Sequence, residues 1–178
     1  QVSVSPATIA KYLDCFIDAF IMYKALRYDI KGKRYIETPL KYYFTDVGLR
    51  NARLNFRQQE ENHIMENIIF NELMAREFDV DVGVVEYNRT DETGKKIRVQ
   101  LEIDFVANRG SKRYYIQSAL SVAEEEKRKQ EVNSLLRVSD SFKKIVVVKD
   151  DVIPWYDEQG ILYLGIEQFL LEEHAMDI

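Results

Sequence analysis

The chain has 178 residues, 46% of them apolar and 31% charged, and a formal net charge of −5. That length and apolar share suffice for a sizeable core. No apolar run approaches the roughly 20 residues of a membrane span and no signal-peptide pattern opens the chain, so no membrane partner and a cytoplasmic location are expected. The acidic balance argues against a nonspecific nucleic-acid coat while leaving room for a local basic groove.

Taken in order, Ser5 followed by Pro6 is an N-cap and first-turn pair, and Ile9, Tyr12, Leu13, Phe16 and Ile17 follow at helical spacing. The lone cysteine, Cys15, has no disulfide partner and is expected to pack into a core beside them. A strand, a Lys-Gly turn and a second extended segment reaching Pro39 come next. A short helix followed by a hairpin is the back half of a winged helix. Residues 1–45 are read as a partial winged-helix region of a truncated chain, a reading that leans in part on the resemblance given below, with a free-standing N-terminal arm as the plainer alternative; residues 46–178 are read as a second domain. Lys31, Lys33 and Arg34 at the hairpin tip are candidate phosphate contacts that would position DNA without reading its sequence. A solvated hairpin tip is the plainer reading. Lys41, Tyr42 and Tyr43 could stack on a base, although such runs more often pack at a junction.

From residue 62 the pattern is regular. Ile64, Ile68, Leu73 and Phe78 predict an amphipathic helix. Three strands, 81–87, 98–107 and 113–119, follow with short Gly-containing turns that favour antiparallel neighbours. A charged helix in "VAEEEKRKQEVNSLLRV" precedes the β-branched run "KKIVVV", the kind of strand buried on both faces. A Pro-Trp loop, a strand in "GILYLGI" and a helix in "EQFLLEE" end the chain. The expected class is α/β (α+β), with the order helix-strand-strand-strand-helix-strand after the partial winged helix.

Strand alternation puts Gln100, Glu102 and Asp104 on one face and Leu101, Ile103 and Phe105 on the other. Two carboxylates on one face repel unless a cation, a base or water receives them. Gln117 on the next strand could lie beside Asp104, and Glu66 on the preceding helix could point at the same spot. Glu66, Asp104 and Gln117, with Glu102 beside them, would then offer oxygen ligands to a hard divalent cation such as magnesium. Such a cation can activate a water and stabilise charge on a transferring phosphoryl group. His63 and His174 have no partner at ligand spacing, so no zinc site is expected. Trp155 beside Pro154 reads as a surface loop anchored by its ring, whereas an exposed ring there would mark a partner-binding patch.

The element order, the helix acid and the strand aspartate resemble the core of the PD-(D/E)XK nuclease superfamily. More closely, "TIAKYLDCFIDAFIMYKALRYD", "PLKYYFTDVGLRN", "MENIIFNEL", "LEIDFVA", "YYIQSAL" and "GIEQFLL" resemble the C-terminal portion of a bacterial and archaeal group of AAA-type ATPases. In that group an ATPase module and a winged helix precede a nuclease-like domain of unknown function. The resemblance implies Glu66 as the helix acid and Asp104 as the strand acid, and it puts Gln117, Ser118 and Ala119 where an active enzyme has Glu-X-Lys. Gln117 can still offer a carbonyl oxygen but carries no charge, and Ala119 cannot orient the attacking water or stabilise the negative charge developing on phosphate. Lys127, Arg128 and Lys129 are the candidates for a displaced lysine, beside three glutamates that suit a solvated face.

No G-x-x-x-x-G-K-[ST] loop is present in this sequence, so this chain is not expected to hydrolyse ATP. ATP and its magnesium would belong to the N-terminal part that the resemblance implies. No cofactor is expected in the chain itself, beyond magnesium at a degenerate site. The expectation is an accessory domain of an AAA-type ATPase, not catalytic by itself, with its own ATPase module and DNA or a protein as partners. The alternatives are an active magnesium-dependent nuclease with a variant motif and a scaffold that regulates the ATPase through protein contacts alone.

Overall fold

The computed structural model describes residues 4–57, 60–90 and 93–178. Its centre is an eight-stranded mixed sheet with helices on both faces. The elements are α1 (Pro6–Asp18), β1 (Met22–Asp29), β2 (Arg34–Phe44), α2 (Val47–Arg53), α3 (Glu61–Ala75), β3 (Asp79–Thr90), β4 (Lys96–Arg109), β5 (Lys112–Ala119), α4 (Glu125–Leu136), β6 (Lys143–Val148), β7 (Trp155–Tyr156), β8 (Leu162–Gly165) and α5 (Ile166–Leu171). A short 3-10 turn, Ala175–Asp177, follows. The strand order is β2-β1-β3-β4-β5-β6-β8-β7. From α3 to β6 the elements follow the order helix, three strands, helix, strand.

Two cores sandwich this sheet. On one face Met65, Ile69, Phe70 and Leu73 of α3 pack with Phe105, Ile116, Ile145 and Phe169. On the other, Val132 and Leu135 of α4 pack with Ile103, Tyr115, Val146 and Tyr163. Alternate residues of β6 serve opposite cores and Ile145 to Val148 are all fully buried, as the β-branched run predicts. On α3 the buried stripe runs through Met65 and Ile69. Ile64 and Ile68 flank it half-buried, and Phe78 lies beyond the end of the helix. The expected stripe was thus rotated by one position, because the residues at 64 and 65 are both apolar and periodicity cannot choose between them.

The N-terminal segment departs further from expectation. Helix α1 is capped by Ser5, whose Oγ accepts the Thr8 N–H, but none of its residues is buried. Ile9, Tyr12 and Phe16 are exposed and so is Cys15, which was expected in a core. The amphipathic pattern makes a helix, and the described residues cover its apolar side only in part, at Leu13 and Ile17. The hairpin β1–β2 is an edge of the main sheet: β1 runs parallel to β3, with Arg27 opposite Val82 and Asp29 opposite Val84. The sheet therefore crosses the boundary placed between residues 45 and 46. Pro39 sits in the edge strand β2, where residues 37–40 bulge opposite Leu26. An edge bulge is where a residue without an N–H fits.

One further irregularity matters for the site. Between Asp81–Val106 and Gly83–Ile103, β3 contributes one residue and β4 contributes two, Asp104 and Phe105. This bulge breaks the alternation. Ile103 points into the α4 core while Phe105 points into the α3 core, so the expectation that Leu101, Ile103 and Phe105 share a face fails at its last member. Gly83 beside the bulge is required by space: a Cβ there would sit 2.9 Å from Ile103 Cβ and 2.9 Å from Val106 Cγ2. Among the described residues, no helix is long and apolar enough to cross a membrane.

Candidate functional site

Strands β4 and β5 pair from Arg109–Lys112 to Phe105–Ile116 and then part. Beyond that point β4 stays with β3 while β5 stays with β6, where Gln117 lies opposite Val146 and Ala119 opposite Val148. The sheet forks at Asp104 and Gln117. In the fork, Asp104 Oδ2 accepts the Ser118 N–H at 2.8 Å, and the Asp104 N–H reaches Gln117 Oε1 at 3.4 Å. Side chains close the split that the backbones leave open. A cavity of about 440 Å³ opens there, lined by Glu66, Asp104, Gln117, Ser118, Ala119 and Lys127 among others. The three oxygen-bearing residues singled out in the sequence therefore reach one cavity, and of the three displaced-lysine candidates Lys127 lines it. Its Nζ is 3.2 Å from Glu124 on its own helix.

Two residues that sequence reasoning had left to junction packing or base stacking enter from β2. Lys41 and Tyr43, two apart and so on one face, both reach α3. Lys41 Nζ stands 2.7 Å from Glu66 Oε1 and 2.7 Å from Glu102 Oε1, bridging the helix acid and a strand acid. The Tyr43 hydroxyl donates to the same Glu66 Oε1 at 2.6 Å, and its ring stacks on Phe70 at 4.1 Å between centroids. Glu102 is also held by Arg27 of β1 at 2.6 Å. The period-two spacing of Lys41 and Tyr43 was visible in the sequence. That β2 would meet α3 was not, because the pairing of distant elements leaves no local mark.

The electrostatics follow from burial. Asp104 is pushed up to about 7 by its burial and by the negative Glu66, against the Ser118 N–H and the Lys41 ammonium, which favour its charged form. Burial pulls the Lys41 ammonium down, but the Glu66 and Glu102 carboxylates outweigh it and hold the group above its ordinary value. Burial and Glu66 raise the Tyr43 hydroxyl far above the ordinary tyrosine range. The cluster is a closed ion network: each carboxylate is matched by an ammonium, a guanidinium, a hydroxyl or a backbone N–H.

This donor set does not fit a divalent cation. Glu66 and Glu102 are taken up by Lys41 and Arg27, Asp104 is turned to Ser118, and Gln117 contributes only an amide. Among the described residues no group of three or more histidine, cysteine or acidic side chains is placed to hold a metal.

The expected phosphate contacts at the β1–β2 turn lie elsewhere. Lys31 Nζ donates to the Glu86 carbonyl at 3.0 Å, Arg34 Nε lies 3.4 Å from Asp29, and Lys33 is exposed at the turn with a φ of 50°. Trp155 is half-buried and stacks on Tyr163 at 4.2 Å, its ring anchored as expected, but it lies in the short strand β7 opposite Tyr163 and not in a loop.

Residues 1–60 match the model of a domain of unknown function (DUF8612). An uncharacterized protein of Haemophilus influenzae (strain ATCC 51907 / DSM 11121 / KW20 / Rd) is 36% identical over 147 residues, which is 83% of this chain and 33% of that relative. The chain thus spans about a third of the length of the curated relative it matches. No solved structure matches the chain at a significant level.

Proposed function

We propose that the chain is a nuclease-like accessory domain of a larger, AAA-type ATPase, in which the frame of a phosphodiesterase site survives without its hydrolytic chemistry and the domain serves to hold DNA. The observation that carries this reading is Lys41. Its ammonium occupies Glu66, the helix acid of the resembled site, and ties it to Glu102. An internal cation neutralises the acids at no cost in bound metal, but it cannot activate a water as a metal does. Ala119, at the position of the lysine in the resembling enzymes, adds to the case. The length of the Haemophilus relative supports a larger parent, and the exposed Ile9, Tyr12 and Phe16 of α1 supply an apolar surface for contact with the rest of it.

A second reading has one observation in its favour. Lys127 lines the same cavity as Glu66 and Asp104, so a lysine displaced to α4 is within the site's walls. Incubation of the chain with single-stranded, double-stranded and branched DNA in magnesium and in manganese separates the two. The expected result is binding that weakens steeply with salt and leaves the DNA intact. Cleavage by the unaltered chain, abolished in a Glu66→Ala/Asp104→Ala variant, establishes the second reading and ends the first.

A further inference from the structure

Strands β3 and β4 run on together beyond the rest of the sheet. Their pairing continues from Glu86–Gln100 out to Thr90–Lys96, while the partner β1 stops opposite Val84. The result is a two-stranded ribbon whose outer residues, Asn88, Arg89, Thr90, Lys96, Ile97 and Arg98, are all exposed. The β1–β2 turn lies against its root, through the Ile30 N–H on the Val84 carbonyl and Lys31 Nζ on the Glu86 carbonyl. Together, residues 31–34 and 86–98 carry seven basic and three acidic side chains in a chain whose total is −5. The two segments are therefore positive within an acidic molecule, three of the seven basic groups coming from the turn and four from the ribbon.

The ribbon's faces are also distinct. Lys96, Arg98, Gln100 and Glu102 alternate onto one face of β4, ahead of the bulge at Asp104, and Glu102 is the residue that meets Lys41. Arg98 stands four residues from Glu102, about 13 Å along the strand, and pairs across the ribbon with Glu86 while its side chain stays 65% exposed. On the opposite face Tyr87 is covered by the Arg137 guanidinium, 3.5 Å from its ring centroid. The basic face thus continues the face that carries the ion network, and the other is pinned to the end of α4.

We infer that this ribbon is a duplex-DNA contact, with Lys96 and Arg98 binding phosphates so that the duplex is held beside the Lys41–Glu66 network. The inference rests on the reading of the domain as a non-hydrolysing DNA holder and adds to it the surface and the form of nucleic acid. A two-stranded ribbon fits the B-DNA major groove, about 12 Å wide, while the deep, narrow major groove of A-form RNA excludes it. Arg98 and Lys96 are two phosphate contacts in this geometry, and each contributes about 0.9 to the slope of log affinity against log salt.

The test is fluorescence-anisotropy titration of the full chain with a duplex DNA and an RNA duplex of the same sequence, in EDTA, between 50 and 200 mM salt. Lys96→Glu/Arg98→Glu is compared with Lys11→Glu/Lys129→Glu, a control of equal charge change on α1 and α4, with the circular dichroism of each verified. The expected result is a loss of DNA affinity of about tenfold or more and a salt slope shallower by about 2 in the ribbon variant alone. Affinity within twofold of the control overturns the inference, as does equal binding of the RNA duplex or no binding of DNA by the unaltered chain at 50 mM salt. Because the titrations exclude divalent cations, DNA cleavage, the result that would overturn the non-hydrolysing reading, does not enter them.

Discussion

Lys41 of β2 and Glu66 of α3 meet at 2.7 Å, and this contact ties the edge hairpin to the helix over the sheet while the same ammonium reaches Glu102 of β4. One side chain thus joins three elements and supplies the cation that Glu66 and Glu102 share.

Replacing Lys41 by Met leaves Glu66 and Glu102 facing each other without their shared cation. Removing one partner of a largely buried pair is costly because the remaining charge stays desolvated. The Lys41 side chain is 30% exposed, which softens the loss, and about 2 kcal/mol of destabilisation is expected. In urea unfolding at pH 7 the midpoint falls with the slope unchanged. Adding Glu66→Gln to the variant recovers part of the loss, which a double-mutant cycle reads directly.

Asp104 sets a pH dependence whose sign follows from its position. Its native carboxyl titrates near 7, pushed up by burial and Glu66, against an ordinary 3.8 when unfolded. Between about pH 4 and 7 the native state holds a proton that the unfolded state has released, so stability falls as pH rises through that window. Asp104→Asn keeps an oxygen for the Ser118 N–H and removes the charge. The variant is expected to be more stable than the unaltered chain by about 1–3 kcal/mol at pH 8, with the difference shrinking toward pH 4. Thermal unfolding across that range checks it.

Asn67 grips the end of β2 from both sides: its Oδ1 accepts the Phe44 N–H at 2.9 Å and its Nδ2 donates to the Phe44 carbonyl at 2.7 Å. Asn67→Ala takes this partner from the Phe44 N–H and leaves the Phe44 carbonyl to Asn71 Nδ2 at 3.0 Å, and about 1–3 kcal/mol is expected. Hydrogen exchange would show the loss first at the Phe44 amide. A protein destabilised evenly throughout, with no local change in β2, would count against this role.

Gly83→Ala drives a methyl group into Ile103 and Val106, both fully buried, beside the bulge that aims Asp104. Overpacking of this kind costs about 1–3 kcal/mol. Because the strain falls on β4 at residue 103, the Asp104–Ser118 contact is expected to shift too, seen as a change in the Asp104 titration by carboxyl-carbon NMR.

What the sequence made legible was local. The β-branched run of β6 declared a strand buried on both faces, and the order of elements from α3 to β6 followed from periodicity and turns. Glu66, Asp104 and Gln117 stood out because polar groups interrupt apolar patterns. The rest depends on pairing between distant segments. A bulge that inserts one residue into β4 leaves no mark in composition, yet it carries Phe105 to the opposite core from Ile103. Lys41 suggested base stacking or junction packing beside its two tyrosines, because the meeting of β2 with α3 is not written in either segment. The amphipathic pattern of α1 correctly implied a helix and wrongly implied a buried one, because periodicity reports a face that seeks cover and not the presence of a cover.

The parallel pairing of β1 with β3 has a cost in time as well as a place in the sheet. As the chain emerges from the ribosome, the β1–β2 hairpin forms from neighbouring residues, but the inner edge of β1 waits for β3 while β2, α2 and α3 are still being made. Contacts of such long sequence separation form late and slow the search. During that interval the row of N–H and C=O groups on β1 that will meet β3 stands open, a template for another nascent chain. Arg27 and Asp29 lie in that stretch of β1, and charges along an exposed edge discourage such pairing. Arg27, which in the mature protein holds Glu102, thus has an earlier use as one of the two charges on that open edge.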